Sequence, residues 1–301
     1  MKVAQEFSID ARTGVGAVHL GVTDGATARE FYTGPVGLTV LSDDGDEIVL
    51  GSGGKEVVVL HPGADRPVAQ RTSGLYHLAI VLPSRRELAR VIARLMRNRY
   101  PNSPTDHVMT KSDYLWDPDG NGIEIYAETP EDGVFGFADG QFVARDAQGR
   151  SRSGRDPIDL EALFGELQPG DRFDVPLPEE AHMGHVHLHI RDLQEAVDFY
   201  HGVIGFDVMG VADRWGAAFV SAGGYHHHLG LNTWAGQGAP QGPPTAAGLR
   251  RYTIEVADET ALGAVTSRLH EAGIDVTEEP GAQVVRDPSG NRVHIQTRAA
   301  K

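Results

Sequence analysis

The stretch AVHLGVTDGATAREFYTGPVGL, residues 17–38, recurs in altered form as HVHLHIRDLQEAVDFYHGVIGF, residues 185–206. The two copies align without a gap, so that His19 corresponds to His187. The Asp, Phe-Tyr and Gly positions of the two stretches correspond in the same way. The chain therefore contains two halves of similar pattern.

A second pair of segments marks the end of each half. DPDGNGIEI at 117–125 matches DPSGNRVHI at 287–295. We expect an N-terminal two-module domain over 13–128, a C-terminal one over 183–298, and a connector over 129–182 that wraps the surface. The connector is rich in Gly, Asp, Arg and Pro, and the amphipathic run DPIDLEALFGEL predicts one helix within it.

Each half has a weaker repeat of its own. Val18, Leu20 and Val22 alternate as in a strand, and a short helix, a Gly turn and two strand-like segments follow them. The same order recurs after GLYHLAIVLPS at 74–84, where apolar residues at helical spacing follow the strand. The chain therefore contains four βαβββ modules, and its predicted class is α+β.

Composition excludes several classes of protein. The 301 residues have a net charge of −15 and no cysteine, which argues against nucleic acid as a partner and against disulfides, thiolate metal sites and iron–sulfur clusters. No apolar run reaches the ~20 residues that cross a bilayer, so we expect no membrane partner. The N-terminus lacks the apolar core of a secretory signal, and a cytoplasmic location is expected. Any metal must be bound by His, Asp and Glu, and there are 14 histidines.

Strand alternation separates three polar side chains from the apolar face of their strands. We expect the side chain of His77 to lie on the other face of its strand from Tyr76 and Leu78, and that of His19 on the other face from Val18 and Leu20. Glu124 lies between two isoleucines of the last strand and should point away from their face. All three leave the apolar face. The alternative is that the histidines are hydrogen-bonded core residues and Glu124 a solvated strand residue.

The four-module pattern, with HL at the start of a module, FY…G in its helix and DPDGN before its last strand, resembles the vicinal oxygen chelate superfamily. This group includes glyoxalases, bleomycin-resistance proteins and type I extradiol dioxygenases. The phrases GLYHLAIVLP, DPDGNGIEIY, MGHVHLHIRD and GGYHHHLGLNTW are similar to those of bacterial catechol 2,3-dioxygenases. The resemblance implies that the modules pair into two curved-sheet domains, each enclosing a cleft.

In that superfamily the metal ligands lie on the first strands of two paired modules and on the last strand of the second. The resemblance therefore implies His19, His77 and Glu124 as ligands in the N-terminal half. Two imidazoles and one carboxylate form the facial triad typical of non-haem Fe(II), although Mn(II) binds similar ligands. The implied reaction is extradiol cleavage of a catechol by O2.

The resemblance also implies three residues around the metal. Tyr114 and His107 would accept or relay a proton from the catechol, and His61 would face the oxygen site. The spacing of Tyr114 fits the family best. His61 could instead lie in a surface turn, and Tyr114 could be an aromatic of the cleft wall without a chemical role.

The C-terminal half is expected to be a degenerate copy. His187 survives at the first position, but Arg251 or Tyr252 stands at the second and His294 replaces the Glu. Three histidines, His187, His228 and His294, remain as an alternative metal set, provided that the YHHH segment turns inward. A role for YHHH in strand contacts or at a subunit contact is also open, and a homo-oligomer is expected.

Two other functions remain open at this stage. A metal-dependent lyase, isomerase or thiol transferase of the same superfamily would use the metal as a Lewis acid. Such enzymes commonly add a second carboxylate, for which KEVVVLHP offers only Glu56. A non-catalytic protein that binds an aromatic ligand is the third possibility.

Overall fold

The structure, a computed structural model, describes residues 7–138 and 141–298 of the chain. Module one consists of β1 (Gly14–Val22), α1 (Gly25–Phe31), β2 (Thr39–Asp43), β3 (Ile48–Ser52) and β4 (Lys55–Pro62). Module two consists of β5 (Gly74–Leu82), α2 (Arg85–Arg97), β6 (Ser103–Asp106), β7 (Thr110–Trp116) and β8 (Gly122–Glu128).

The connector has ordered elements of its own. They are β9 (Gly133–Ala138), β10 (Gln141–Asp146), β11 (Asp156–Pro157) and α3 (Leu160–Phe164). The predicted connector helix is shorter than expected, because Asp156–Pro157 pairs with β6 as a strand and the side chain of Asp159 caps the helix by accepting from the Ala162 N–H.

Modules three and four repeat the order of the first two. Module three has β12 (His182–His189), α4 (Leu193–Val197), β13 (Asp207–Ala212), β14 (Ala217–Ser221) and β15 (Leu229–Asn232). Module four has β16 (Gly248–Val256), α5 (Glu259–Glu271), β17 (Thr277–Glu279), β18 (Ala282–Arg286) and β19 (Arg292–Thr297). The α+β class and the four βαβββ modules are therefore confirmed.

The repeated FY…G stretch shapes the helix of modules one and three in the same way. Asp24 and Asp192 cap α1 and α4 by accepting from N–H groups in the first turn. Each helix continues into a π-helical turn, Tyr32–Val36 or Asp198–Ile204, that ends at a glycine. Gly37 has φ +94° and Gly205 φ +99°, a region that other residues enter only at a cost.

The sheets do not follow the two halves of the sequence. An eight-stranded sheet has the order β17-β18-β19-β16-β1-β4-β3-β2, and a nine-stranded sheet the order β11-β6-β7-β8-β5-β12-β15-β14-β13. Module one therefore shares a sheet with module four, and module two with module three. The junctions are the antiparallel pairs β1–β16 and β5–β12.

This pairing corrects the expectation that the domains 13–128 and 183–298 each close a cleft of their own. The first strand lies at the open edge of every module, and an open edge needs a partner strand. The first strand of any other module has a similar pattern and can serve as this partner strand. Local alternation fixes which side chains face the core, but it does not specify which module supplies the partner.

One apolar core joins both sheets and the helices. It takes Val18, Leu20 and Val22 of β1 together with Leu78 and Ile80 of β5, all at 0% exposure. The corresponding residues of β12 and β16 belong to the same core. The histidine-bearing faces of the sheets therefore lie away from this core. No helix in the described ranges is long and apolar enough to cross a membrane.

Buried tyrosine–aspartate hydrogen bonds join the two modules of each half. The Tyr200 hydroxyl donates to Asp287 at 2.8 Å, and the Tyr32 hydroxyl to Asp117 at 3.2 Å. Each Asp also accepts two backbone N–H groups of its DPxGN turn, and the Asn side chain donates to it. The tyrosine of FY and the first aspartate of DPxGN therefore form the same buried hydrogen bond in each half of the chain.

Replacing Tyr200 by Phe should lower the free energy of unfolding by about 1–3 kcal/mol, because a buried carboxylate loses a donor that water cannot replace. Chemical denaturation of both proteins measures the difference. Tyr100→Phe is the matched control, since that hydroxyl bonds the Trp116 carbonyl at a more exposed place and its loss should cost less. An equal loss of unfolding free energy in Tyr200→Phe and Tyr100→Phe would contradict a special role for the buried Tyr200–Asp287 pair.

A second stability prediction concerns Asp113 on β7, which is fully buried. Burial raises the pKa of Asp113 to about 6, so its charged form is disfavoured in the folded state. The contribution of this carboxyl to stability therefore falls as pH rises from its unfolded pKa of about 3.9 to its folded pKa. Asp113→Asn should be more stable than the parent by up to about 3 kcal/mol at neutral pH, with the gain vanishing near pH 4.

Thermal or chemical unfolding at several pH values tests this prediction. Asp46→Asn, in an exposed turn, serves as the matched control for the loss of a carboxyl group. A gain for Asp113→Asn that is the same at pH 4 and pH 7 would show that the titration of this carboxyl is not its cause.

Candidate metal centre

Three adjacent strands of the nine-stranded sheet bring a glutamate and two histidines together. Ala79 of β5 lies opposite His185 of β12 on one side and beside Glu124 of β8 on the other. His77 lies two residues earlier on the same face. Because Ala79 has only a methyl group, the longer side chains of its neighbours can meet above it.

The three side chains converge on one point. Glu124 Oε2 lies 3.1 Å from His77 Nε2 and 3.2 Å from His185 Nε2, and the two nitrogens are 3.4 Å apart. The side chains are buried, with exposures of 6% for His77, 4% for Glu124 and 2% for His185. Ligand atoms on adjacent vertices of an octahedron with bonds of ~2.1 Å are ~3.0 Å apart. The donor set and its spacing therefore fit a divalent metal ion bound on one face.

The protonation states suit metal binding. Burial alone would raise the pKa of Glu124, but hydrogen bonds and charge interactions with His185 and His77 outweigh it and hold that pKa well below the usual range. Burial lowers the pKa of His185. An ionised carboxylate beside a neutral imidazole is the form that coordinates a cation.

The structure does not bring His19 to this group. His19 lies on β1, in the other sheet, where it pairs with Arg251 of β16. His19 Nδ1 is 3.0 Å from His61 Nε2, and Glu47 lies close enough to form a second group of possible ligands with them. The expectation failed because it paired module two with module one, whereas module three is its partner.

The surroundings of His19 are less suited to a cation, because Arg251 places a positive charge close to it. Burial, and then this charge, lower the pKa of His19 to about 3. His294, on β19, belongs to the same sheet. The cleft of the eight-stranded sheet therefore contains His19, Arg251 and His294, drawn from both halves of the chain, and not from the C-terminal half alone.

Tyr114 and His107 lie beside the centre. The Tyr114 ring is 5.6 Å from that of His77, and its strand position is opposite Glu124. The Tyr114 hydroxyl is 2.8 Å from His107 Nε2, and His107 Nδ1 is 2.6 Å from the Gly154 carbonyl oxygen. A carbonyl only accepts, so Nδ1 carries the proton and Nε2 accepts from the tyrosine.

His61 is absent from this cleft. It lies near the end of β4 beside His19, and its Nδ1 is 3.7 Å from Glu47. Strand register makes Asn232 its counterpart in module three, whereas the segment Tyr225–His228 lies just before β15. The ring of His227 lies 4.2 Å from that of His185, and the ring of His226 lies 5.7 Å from it.

The alternative set of three histidines is not assembled either. His187 lies in the nine-stranded sheet and His294 in the eight-stranded one. His228 Nδ1 accepts from the Ser221 hydroxyl and the Ala222 N–H. His228 therefore has a structural role, while its two neighbours turn toward His185.

Aromatic side chains form the wall on the other side of His77. A bulge in β5 places Tyr76 out of step with β12, so its ring does not join the core as alternation predicted. It lies 5.0 Å from the ring of His77 and 5.1 Å from that of Trp234. Both aromatics are partly exposed, at 37% and 42%, and can contact a flat ligand entering from solvent.

His185 was missed because the internal repeat aligned His187 with His19, while Ala17 stands at the position of His185. Alternation was a usable signal, since His185, His187 and His189 share one face of β12. Only the register of β12 against β5 decides which of them meets Glu124.

The chain is similar to known proteins along most of its length. The family model described as Glyoxalase/Bleomycin resistance protein/Dioxygenase superfamily matches residues 14–125 and 182–295. A catechol-2,3-dioxygenase from Bacillus subtilis (strain 168) is 37% identical over 284 residues, which cover 93% of this chain and 96% of that protein.

Two solved structures share the fold. A candidate dioxygenase from Bacillus subtilis subsp. subtilis str. 168 has a TM-score of 0.64 at 14% identity, covering 97% of this chain and 87% of that one. Glyoxalase I from Zea mays has a TM-score of 0.53 at 15% identity, covering 95% and 92%.

Removing His185 should weaken the binding of Mn(II) or Co(II) by more than the ~10–100-fold that follows when a ligand loses its hydrogen-bonding partner. Equilibrium dialysis of metal-stripped wild-type and His185→Ala proteins measures this. The control is His19→Ala, which should keep the wild-type affinity. Loss of metal affinity in His19→Ala but not in His185→Ala would instead identify His19 as a metal ligand.

Proposed function

Because this chain belongs to the Glyoxalase/Bleomycin resistance protein/Dioxygenase superfamily and is a catechol-2,3-dioxygenase-like enzyme within it, we propose that it opens the ring of a catechol by extradiol cleavage. Both atoms of O2 enter the product, and the bond between a hydroxylated carbon and its unhydroxylated neighbour breaks. The product is a muconic semialdehyde. The observation that carries this proposal is the convergence of His77, Glu124 and His185 on one point.

The proposed cofactor is Fe(II), held by these three residues, with Mn(II) as an alternative that the same donors accept. When bound, such an ion would activate the catechol and O2 for reaction with each other. One carboxylate leaves the site with positive charge, which favours an ionised diol. The buried carboxylate and the imidazoles bind and orient the ion, while the surrounding sheet limits the access of water.

Tyr114 and His107 would take the proton that the catechol loses on binding. The Tyr114 hydroxyl donates its proton to His107 Nε2, so its oxygen is free to accept a hydrogen bond from a substrate hydroxyl. A proton can then pass from the substrate to Tyr114 as the tyrosine proton moves to His107. The Gly154 carbonyl accepts from His107 Nδ1 and keeps the ring in the orientation that this relay needs.

The role first given to His61 is proposed for His227 instead. Its ring lies beside His185, on the side of the centre away from Tyr114, and 5.1 Å from Phe219. An imidazole at this place would be able to donate a hydrogen bond to O2 in the cleft. Tyr76 and Trp234 would contact the ring of the catechol.

The glyoxalase-like alternative is less well supported. Enzymes of that kind commonly place a second carboxylate on the metal, and Glu56 lies on β4 in the other sheet. Within the described ranges, the group of His77, Glu124 and His185 contains one carboxylate. This composition favours oxygen chemistry over purely Lewis-acid catalysis.

Protein reconstituted with Fe(II) under anaerobic conditions should consume one O2 per catechol and form a yellow semialdehyde when air is admitted. Oxygen uptake and product absorbance are measured with a panel of substituted catechols. Metal-loaded protein that consumes no oxygen with any of them would refute the proposal. Activity with Ni(II) or Zn(II) and no oxygen uptake would favour the glyoxalase-like alternative.

Tyr114→Phe should lower kcat by ~10²–10⁴-fold, the range for loss of a general acid–base group, with little change in metal content. Tyr100→Phe, which removes a hydroxyl outside the centre, should leave kcat unchanged. If Tyr114→Phe kept the wild-type kcat, Tyr114 would be an aromatic residue of the cleft wall without a chemical role.

A further inference from the structure

The segment Tyr225–His228 is held at both of its ends. The hydroxyls of Tyr225 and Tyr126 are 2.5 Å apart, and His228 is fixed by Ser221 and the Ala222 N–H. His226 and His227 lie between these anchors with no hydrogen bond to their rings in the described part of the chain. Their position is therefore defined, while their ring nitrogens stay available.

These two rings gather around His185. The ring centroids of His226 and His227 are 4.6 Å apart, and one nitrogen from each of the three histidines lies within 4.8 Å of the others. His226 and His227 are partly exposed, so an ion from solvent can reach them. The three imidazoles have the spacing of a ligand set that could close on one ion.

His185 has one ring nitrogen to offer. Its Nε2 faces Glu124 and His77, but its Nδ1 is buried and has no hydrogen-bond partner among the described residues. A buried polar atom without a partner costs stability unless a ligand satisfies it. The side chain as a whole is 2% exposed.

We infer that His185, His226 and His227 form a second metal site, distinct from the His77–Glu124–His185 centre, for a late first-row divalent ion such as Zn²⁺. Three imidazoles without a carboxylate suit Zn²⁺, Ni²⁺ and Cu²⁺ better than ions that prefer oxygen ligands. The two sites share His185. A neutral imidazole has only one nitrogen without a proton, so His185 cannot bind an ion at both sites at once, and Zn²⁺ should compete with metal binding at the first site.

The test removes the first site and measures binding alone, so it does not depend on oxygen chemistry. His77→Ala/Glu124→Ala protein retains the three histidines and should bind one Zn²⁺ per chain in equilibrium dialysis. Adding His226→Ala and His227→Ala should abolish this binding, as should adding His185→Ala. His182→Ala, at the exposed start of the same strand, is the control and should leave it intact.

The inference would be overturned if the folded double variant did not bind Zn²⁺. It would also be overturned if Zn²⁺ still bound after His226 and His227 were replaced. Circular dichroism and thermal unfolding establish that each variant is folded. A second measurement needs no variant: wild-type crystals soaked in Zn²⁺ should give an anomalous peak at the zinc edge between His185, His226 and His227. Density confined to the side of His77 and Glu124 would exclude the second site.

Discussion

The antiparallel pairing of β5 with β12 is the constraint on which the centre depends. It joins modules from different halves of the chain into one sheet and places His185 across from Ala79. The parallel pairing of β5 with β8 then places Glu124 on the other side of the same alanine. A slip of one residue in either register would turn the ligands of one strand toward the core. The positions of the proposed metal ligands therefore depend on the backbone hydrogen bonds between these strands.

A buried carboxylate is tolerable at this place only because positive or polar partners surround it. Glu124 has His77 and His185 within hydrogen-bond distance and Tyr114 opposite it on the neighbouring strand. Removing one partner would leave a charge in a region of low dielectric constant. Aromatic rings and histidines lie around Glu124 on this face of the sheet, beside the aliphatic residues Ala79 and Val81. The side chains that stabilise the buried carboxylate of Glu124 are therefore the same ones that could bind a cation with it.

Much of the fold was predictable from sequence because it follows from local pattern. Alternation identified the strands, the repeat identified the four modules, and the Gly turns marked where the short helices end. His77 and Glu124 were predicted from distinctive motifs and Tyr114 from its spacing, and the structure places these three side chains in one cleft. His185 and the displacement of His61 were not predictable in this way. They depend on which module supplies the partner strand, a long-range choice that strand patterns alone leave undetermined.

The exchange of modules between the sheets also bears on how such a chain could arise. A protein of half this length, with two modules, would complete neither sheet alone, but two copies side by side would complete both. That ancestral dimer would have had two identical sites by symmetry, and no substitution could alter one without the other. Fusion of two gene copies ends this coupling. Ala17, Arg251 and His294 could then replace ligands in one cleft while His185, His77 and Glu124 persisted in the other.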